Sequence, residues 1–172
     1  MTALVRVATA SDADAMLGLR LLMFEAMGMP ASALAEPGWR LAAHGWFIDR
    51  IPAAGVHVVV AEVDGLVVSG AVGEVTALIP GPGAPNGSVG LISNVATLPE
   101  FRGRGIAAAV TDALLEWFRE RTDVTRVDLF ATPGGAGIYT PRGFTARDFP
   151  AMSFPVTRKG REERTRRLRD PA

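Results

Sequence analysis

The sequence predicts an α/β (α+β) chain in which six to seven short strands are flanked by about four helices. Three observations predict it. Apolar stretches of strand length, rich in Val, Ile and Leu, recur between Gly, Pro, Asn and Asp breakers. Two longer stretches, residues 16–27 and 106–118, are apolar at helical spacing. An Asp64-Gly65 pair joins two of the strand stretches, the signal of an antiparallel hairpin. The 172 residues suit one domain with a core of its own over residues 1–156, followed by a basic tail over 157–172 that is expected to be flexible.

Taken in order, residues 4–8 form the first strand. Thr9 or Ser11 can cap the helix that follows, with Asp12 and Asp14 near its positive end. Met16, Leu17, Leu19, Leu21, Leu22, Met23 and Met27 make that helix apolar over much of its surface, and Gly28 ends it. The methionines Met16, Met23, Met27 and Met29 either fill gaps in a core or line a pliable pocket. Residues 30–38 are a breaker-rich connection. Residues 39–51 are a second helical stretch, whose Trp39, Trp46 and Phe47 are core anchors or pocket walls.

Residues 57–62 and 66–79 are the strands of the hairpin. Glu74 falls inside the second. A carboxylate in a sheet faces water or serves a reaction, and Glu74 is the candidate proton acceptor. Residues 80–87 are a Gly/Pro loop leading into the central strand, 88–98. The helix over 106–121 carries Ile106, Val110, Ala113, Leu114, Trp117 and Phe118 on one face. Residues 127–131 are a fifth strand, broken by Thr132-Pro133-Gly134-Gly135. Residues 136–139 are a short helix or turn, ended by Pro141. Residues 144–148 and 151–156 read as two last strands. No internal repeat is visible.

A hydrophobic fraction of 48% with 21% charged residues is globular rather than disordered. With no cysteine there is neither a disulfide nor a thiolate metal site, and no metal is expected. No basic-then-apolar leader opens the chain, and no run approaches the roughly 18 apolar residues of a membrane helix. A cytoplasmic protein without membrane or nucleic-acid partners is expected. The net charge of zero hides an asymmetry. Seven of the 18 basic and three of the 18 acidic residues lie from Thr157 onward, so residues 1–156 carry eleven and fifteen, a net of −4. A mildly acidic body favours a cationic amine over an anion.

The chemistry concentrates between the central strand and the long helix, at Arg102-Gly103-Arg104-Gly105-Ile106-Ala107. Two glycines remove side chains that would keep a ligand from the backbone. The N–H groups that open a helix are unpaired and sit at its positive end, so the stretch suits a phosphate or diphosphate. A nucleotide P-loop is excluded, because no Lys-Ser/Thr pair follows the glycines. Gly103 to Ala108 formally fit the dinucleotide pattern G-x-G-x-x-A. The context differs: that pattern opens the first βα unit of a parallel sheet, and here it comes late, with Asp128 at the start of the next strand rather than its end.

Arg102-x-x-Gly105-x-Ala107, behind a strand and heading a helix, resembles the acetyl-CoA signature of the GCN5-related N-acetyltransferases (GNAT). Ile138-Tyr139-Thr140-Pro141-Arg142-Gly143-Phe144 is similar to the second signature of that family, a helix-borne tyrosine four residues before a Gly-Phe pair. Val5 to Thr9, followed by Asp12, resembles the family's opening strand and helix cap. The resemblance covers residues from about 4 to 154.

It implies a mixed, mostly antiparallel central sheet, splayed between strands four and five. It implies acetyl-CoA as cofactor and transfer of its acetyl group to a primary amine of a small molecule or peptide. The pantetheine arm would lie along Asn94, Val95, Ala96 and Thr97, with the thioester oxygen on the N–H of Val95 or Ala96. The diphosphate would sit on the amides of Arg102, Gly103, Arg104, Gly105, Ile106 and Ala107, and Thr132 joins the cofactor-binding set. Tyr139, the one tyrosine in the chain, matches the residue that protonates the departing thiolate. Dimers are common in the family, so a homodimer is allowed. Two departures stand out. No acid lies between Ser88 and Thr97, which turns attention to Glu74, His57 or water as base. Pro133 stands where the second signature often has asparagine. The missing acid leaves room for an alternative, a non-catalytic acyl-CoA-binding or regulatory module on the same fold.

Overall fold

A computed structural model describes residues 2–149, 151–154 and 156. Five strands form one sheet in sequence order: β1 (Leu4–Val7), β2 (Val56–Val63), β3 (Leu66–Ala77), β4 (Ser88–Thr97) and β5 (Val127–Leu129). The first four run antiparallel to their neighbours, and β5 lies parallel to β4. Asp64 and Gly65 turn the β2–β3 hairpin, both at positive φ (50° and 82°), as a tight hairpin turn requires. Five helices pack around the sheet: α1 (Ala13–Ala26), α2 (Ala31–Ala35), α3 (Pro37–Arg50), α4 (Ile106–Arg121) and α5 (Ala136–Tyr139).

Strand alternation divides the core in two. On one face Val58, Val60 and Val72 pack with Met16, Leu19 and Phe47 of α1 and α3. On the other, Val59, Ala61, Val68 and Ala71 pack with Val110, Leu114 and Phe118 of α4. Because both faces are covered, β2 is apolar along nearly its whole length. Glycines set how closely the helices approach. A Cβ on Gly70 would stand 2.5 Å from Met16 Sδ, and one on Gly90 would stand 2.7 Å from the Phe118 ring. Arg6 of β1 ties the head of α1 to the sheet, bonding Asp12 at 2.8 and 2.9 Å and Glu62 at 3.0 Å. That guanidinium holds the Asp12 carboxyl below the usual aspartate range.

Two expectations are corrected. Among the described residues the sheet has five strands rather than six or seven, because residues 144–148 and the described part of 151–156 form no strand. Phe144 packs on the α4-side core, but Phe149, Met152, Phe154 and Val156 are 84–95% exposed. Pro150 and Pro155 also break up the stretch, and proline has no N–H to give a ladder. There are also five helices rather than about four, since α2 occupies part of the expected connection. Pro155 and the expected tail over 157–172 lie outside the described residues. No helix among the described residues is long and apolar enough to cross a membrane.

Candidate active site

The site begins where β4 parts from β5. The two strands pair only over Gly90–Ile92 and Val127–Leu129, so residues 93–97 of β4 have no strand partner on that side among the described residues. On the other side, Gly70 pairs with Ala96 and Val72 with Ser93. Asn94 and Val95 thus oppose the single residue Ala71, a bulge that bends the strand away from β5. Asn94 takes φ 53°, a left-handed conformation that asparagine tolerates better than most residues. Buried Ser69 pins the bent end of β4, donating to Ala96 O at 2.8 Å and sharing a bond with Thr97 Oγ1 at 2.8 Å.

The parting opens a crevice of about 780 Å³. Its walls are residues 93–97 of β4, the loop around Arg102 and Gly103, the head of α4, residues 132–135, Tyr139, Met23 of α1 and Met27 just past its end. That volume lies within the range of small-molecule sites. Among the described residues, Arg102 is the only charged one in the lining, and none of their carboxylates lines the space.

The N-terminus of α4 lines the crevice. Gly103 and Gly105 sit at φ 73° and 77°, where a side chain would strain the backbone. Gly105 is the N-cap, no side chain caps the helix, and its first turn carries no acid. The first bond along the helix runs from Ala109 N to Gly105 O, which leaves the N–H groups of Ile106 to Ala108 without a helical acceptor. The 3₁₀ turn that precedes α1, Ala10–Asp12, differs: there Thr9 and Asp12 form a capping box. The uncapped N–H groups of α4 suit an anion. Arg102 Nε donates to Thr97 O at 3.0 Å, fixing the loop to the end of β4. Arg104 turns away, donating to Glu100 O at 2.9 Å with its guanidinium 5.3 Å from the Phe101 ring. Arg104 is not among the residues that line the crevice.

Tyr139 lines the same space. The ring is 9% exposed and meets Phe144 edge-on at 5.9 Å. Its hydroxyl makes no hydrogen bond to another described residue, and burial pushes the phenol above its ordinary pKa. It therefore holds its proton across the neutral range. Thr132 caps the turn that sets α5, its Oγ1 accepting from Gly135 N at 3.2 Å.

The structure does not gather every candidate here. Glu74 is partly buried on β3, between Val56 and Leu91 in register, and does not line the crevice. Alternation puts it on the α1 and α3 face, two residues or about 7 Å along the strand from Val72. His57 lies on the opposite face, stacked on Trp117 at 4.9 Å with 10° between the rings. Phe47 and Trp46 pack in the core, and Trp39 donates to Ala33 O at 2.9 Å while meeting Phe24 edge-on. Of the methionines, Met16 is fully buried, whereas Met23 and Met27 reach the crevice. Among the described residues, no group of three or more His, Asp or Glu could hold a metal.

One residue escaped the sequence reading. Arg20 of α1 donates to Asn94 Oδ1 at 3.0 Å, with its guanidinium 4.8 Å from the Phe24 ring. A lone charge inside the apolar run of α1 was the available signal. Asn94 is 5% exposed, and its Nδ2 is buried without an acceptor among the described residues. Such a group costs about 1–3 kcal/mol when left unpaired.

The family model for the acetyltransferase (GNAT) family matches residues 23–144. A GCN5-related N-acetyltransferase from Ralstonia eutropha JMP134 is 26% identical, with a TM-score of 0.80 over 90% of this chain and 99% of that one. An acetyltransferase from Clostridium acetobutylicum, solved with acetyl-CoA, is 21% identical, with a TM-score of 0.77 over 88% of this chain and 96% of that one. An aminoglycoside N-acetyltransferase solved with CoA shares the fold at 18% identity and a TM-score of 0.68, over 91% of this chain and 95% of that one. No curated protein matches the sequence significantly. The family match spans well over half of the chain, which therefore belongs to the GNAT acetyltransferase family.

Proposed function

We propose that this protein transfers the acetyl group of acetyl-CoA to a primary amine of a small molecule or peptide. One observation carries the reading: an uncapped helix N-terminus with two positive-φ glycines and a buried tyrosine line one crevice. The residues fit the coenzyme. The N–H groups of Ile106, Ala107 and Ala108 hold its diphosphate, and the glycines let it approach the backbone. The unpaired edge of β4 over residues 93–97 hydrogen-bonds an extended pantetheine arm as it would a further strand.

When bound, acetyl-CoA supplies an acetyl thioester. The N–H of Val95 or Ala96, beside the bulge, holds the thioester oxygen as it gains charge, a contact worth about 3 kcal/mol. Tyr139 gives its proton to the sulfur as the carbon–sulfur bond breaks and the carbon–nitrogen bond forms. The amine proton must leave as well. With no carboxylate in the lining, we assign that proton to Glu74 acting through water, and Glu74→Gln should lower turnover without weakening coenzyme binding.

The test is calorimetry with acetyl-CoA, followed by thiol release on a panel of primary amines. Binding with turnover supports the proposal, and absence of binding at millimolar coenzyme removes it. The lack of a carboxylate in the crevice favours one second reading, a non-catalytic acyl-CoA-binding module. Binding with no turnover on any amine would select it.

A further inference from the structure

The sheet does not hold the peptide that carries the Val95 N–H. Ser93 pairs with Val72 and Ala96 with Gly70, but Asn94 and Val95 have no register partner on β3, nor on β5 among the described residues. A peptide plane is rigid, so the direction of that N–H follows from the dihedrals of Asn94 and Val95. Asn94 takes φ 53°. Among the described residues Asp64 is the other non-glycine at positive φ, and its hairpin turn accounts for it. Asn94 also keeps its amide nitrogen buried, with no acceptor among the described residues. Both features oppose this conformation, and a strained residue persists only where its surroundings hold it.

On the α1 side the holder is Arg20. Its Nη1 donates to Asn94 Oδ1 at 3.0 Å. A guanidinium has only donors, so it takes the oxygen end of the amide and leaves the nitrogen turned away. Arg20 is partly buried, joins no ion pair among the described residues and makes no other hydrogen bond to them. A charged donor makes the stronger kind of bond. The guanidinium lies 4.8 Å from the Phe24 ring, which meets Trp39 edge-on at 5.7 Å. On the opposite face Val95 packs against the α4-side core. One side chain on each face of the sheet thus fixes the peptide between them.

We infer that Arg20 is a positioning residue for acetyl transfer: through its bond to Asn94 it holds the left-handed residue of the β4 bulge and so aims the N–H of Val95 at the thioester oxygen. This rests on the acetyl-transfer reading above and narrows it. It selects Val95 over Ala96, which the sheet already holds through its register with Gly70 and the bond of Ser69 to its carbonyl. It also gives the lone charge of α1 a role. Arg20 does not line the crevice, whereas Asn94 and Val95 do, so it acts through Asn94. A misdirected N–H leaves the diphosphate on α4 undisturbed. Loss of the tether therefore costs the transition state more than it costs coenzyme binding.

The test is a double-mutant cycle on Arg20 and Asn94. Arg20→Met removes the donor and keeps an unbranched side chain. It should lower kcat by about tenfold or more, while the calorimetric Kd of acetyl-CoA stays within about twofold. Glycine adopts φ 53° without a tether. In an Asn94→Gly background, Arg20→Met should therefore change kcat by less than about twofold, whatever Asn94→Gly costs alone. Arg20→Lys, which keeps a donor, should lose less than Arg20→Met. Phe24→Leu keeps the arginine but removes its ring; it should show a smaller loss with the same dependence on Asn94, and it replaces Arg20→Met in the cycle if that variant does not fold. A readout free of turnover is the crystal structure of coenzyme-free Arg20→Met, in which Asn94 should leave the left-handed region. Three results overturn the inference: no loss of kcat in Arg20→Met, an equal loss in both backgrounds, or an Asn94 that stays at positive φ with Arg20 gone. If acetyl-CoA does not bind the wild-type protein, the acetyl-transfer reading falls, and the Asn94 dihedral in Arg20→Met alone decides whether Arg20 holds the bulge.

Discussion

Tyr139 and His57 are both aromatic, titratable and withdrawn from water, yet burial moves them in opposite senses. The phenol is neutral when protonated, so burial raises its pKa and keeps its proton in place. Tyr139→Phe should lower kcat by about a hundredfold, within the range for one general acid, with little change in acetyl-CoA affinity. The alkaline limb of the wild-type kcat profile should lie above about pH 10 and vanish in that variant. Imidazole is charged when protonated, so burial against Trp117 lowers the His57 pKa. The folded state then binds the proton less readily than the unfolded one. His57 therefore costs no stability above about pH 6.5 and progressively more as pH falls from there through its lower folded value. His57→Phe should flatten the fall in urea midpoint between about pH 7 and pH 5.

Among the elements, α1 and α4 are each placed by a glycine, for different reasons. Gly70 is small because Met16 of α1 lies against it, where a Cβ would come within 2.5 Å of the sulfur. Gly70→Ala should destabilise the fold by about 1–3 kcal/mol through overpacking, and pairing it with Met16→Ala should recover part of that loss in urea unfolding. Gly105 meets nothing within 4 Å, so space is not its constraint. Its φ of 77° is. Gly105→Ala should cost about 1–2 kcal/mol of conformational energy and weaken acetyl-CoA binding in calorimetry, because the cap presents the N–H groups of α4.

For the whole molecule, two cores on opposite faces hold one sheet, and the crevice lies where that sheet parts. A ligand there touches β4, α1, α4 and the chain around α5 together, so its binding energy resists global unfolding. Acetyl-CoA at a hundred times its Kd should add about 2.7 kcal/mol to stability and raise the melting temperature. NADPH should leave it unchanged, since the dinucleotide pattern at Gly103 to Ala108 lacks the parallel sheet that gives it meaning. A shift with NADPH alone would reverse that assignment.

The sequence by itself determined the first five strands, the long helices, the glycine loop and the lone tyrosine. Each is encoded by a local period or by a backbone demand such as the positive φ of Asp64, Gly65, Gly103 and Gly105. Only the tertiary structure decided what those elements face. Strand parity sent Glu74 and His57 to opposite faces and neither into the crevice lining. Phe149, Met152, Phe154 and Val156 found no sheet edge to cover them. Arg20 met Asn94 across 74 positions of sequence because one bulge turned that asparagine toward α1. The physical reason is range. Periodicity reports how a residue sits among its near neighbours in the chain, whereas a site is made by side chains that only packing brings together.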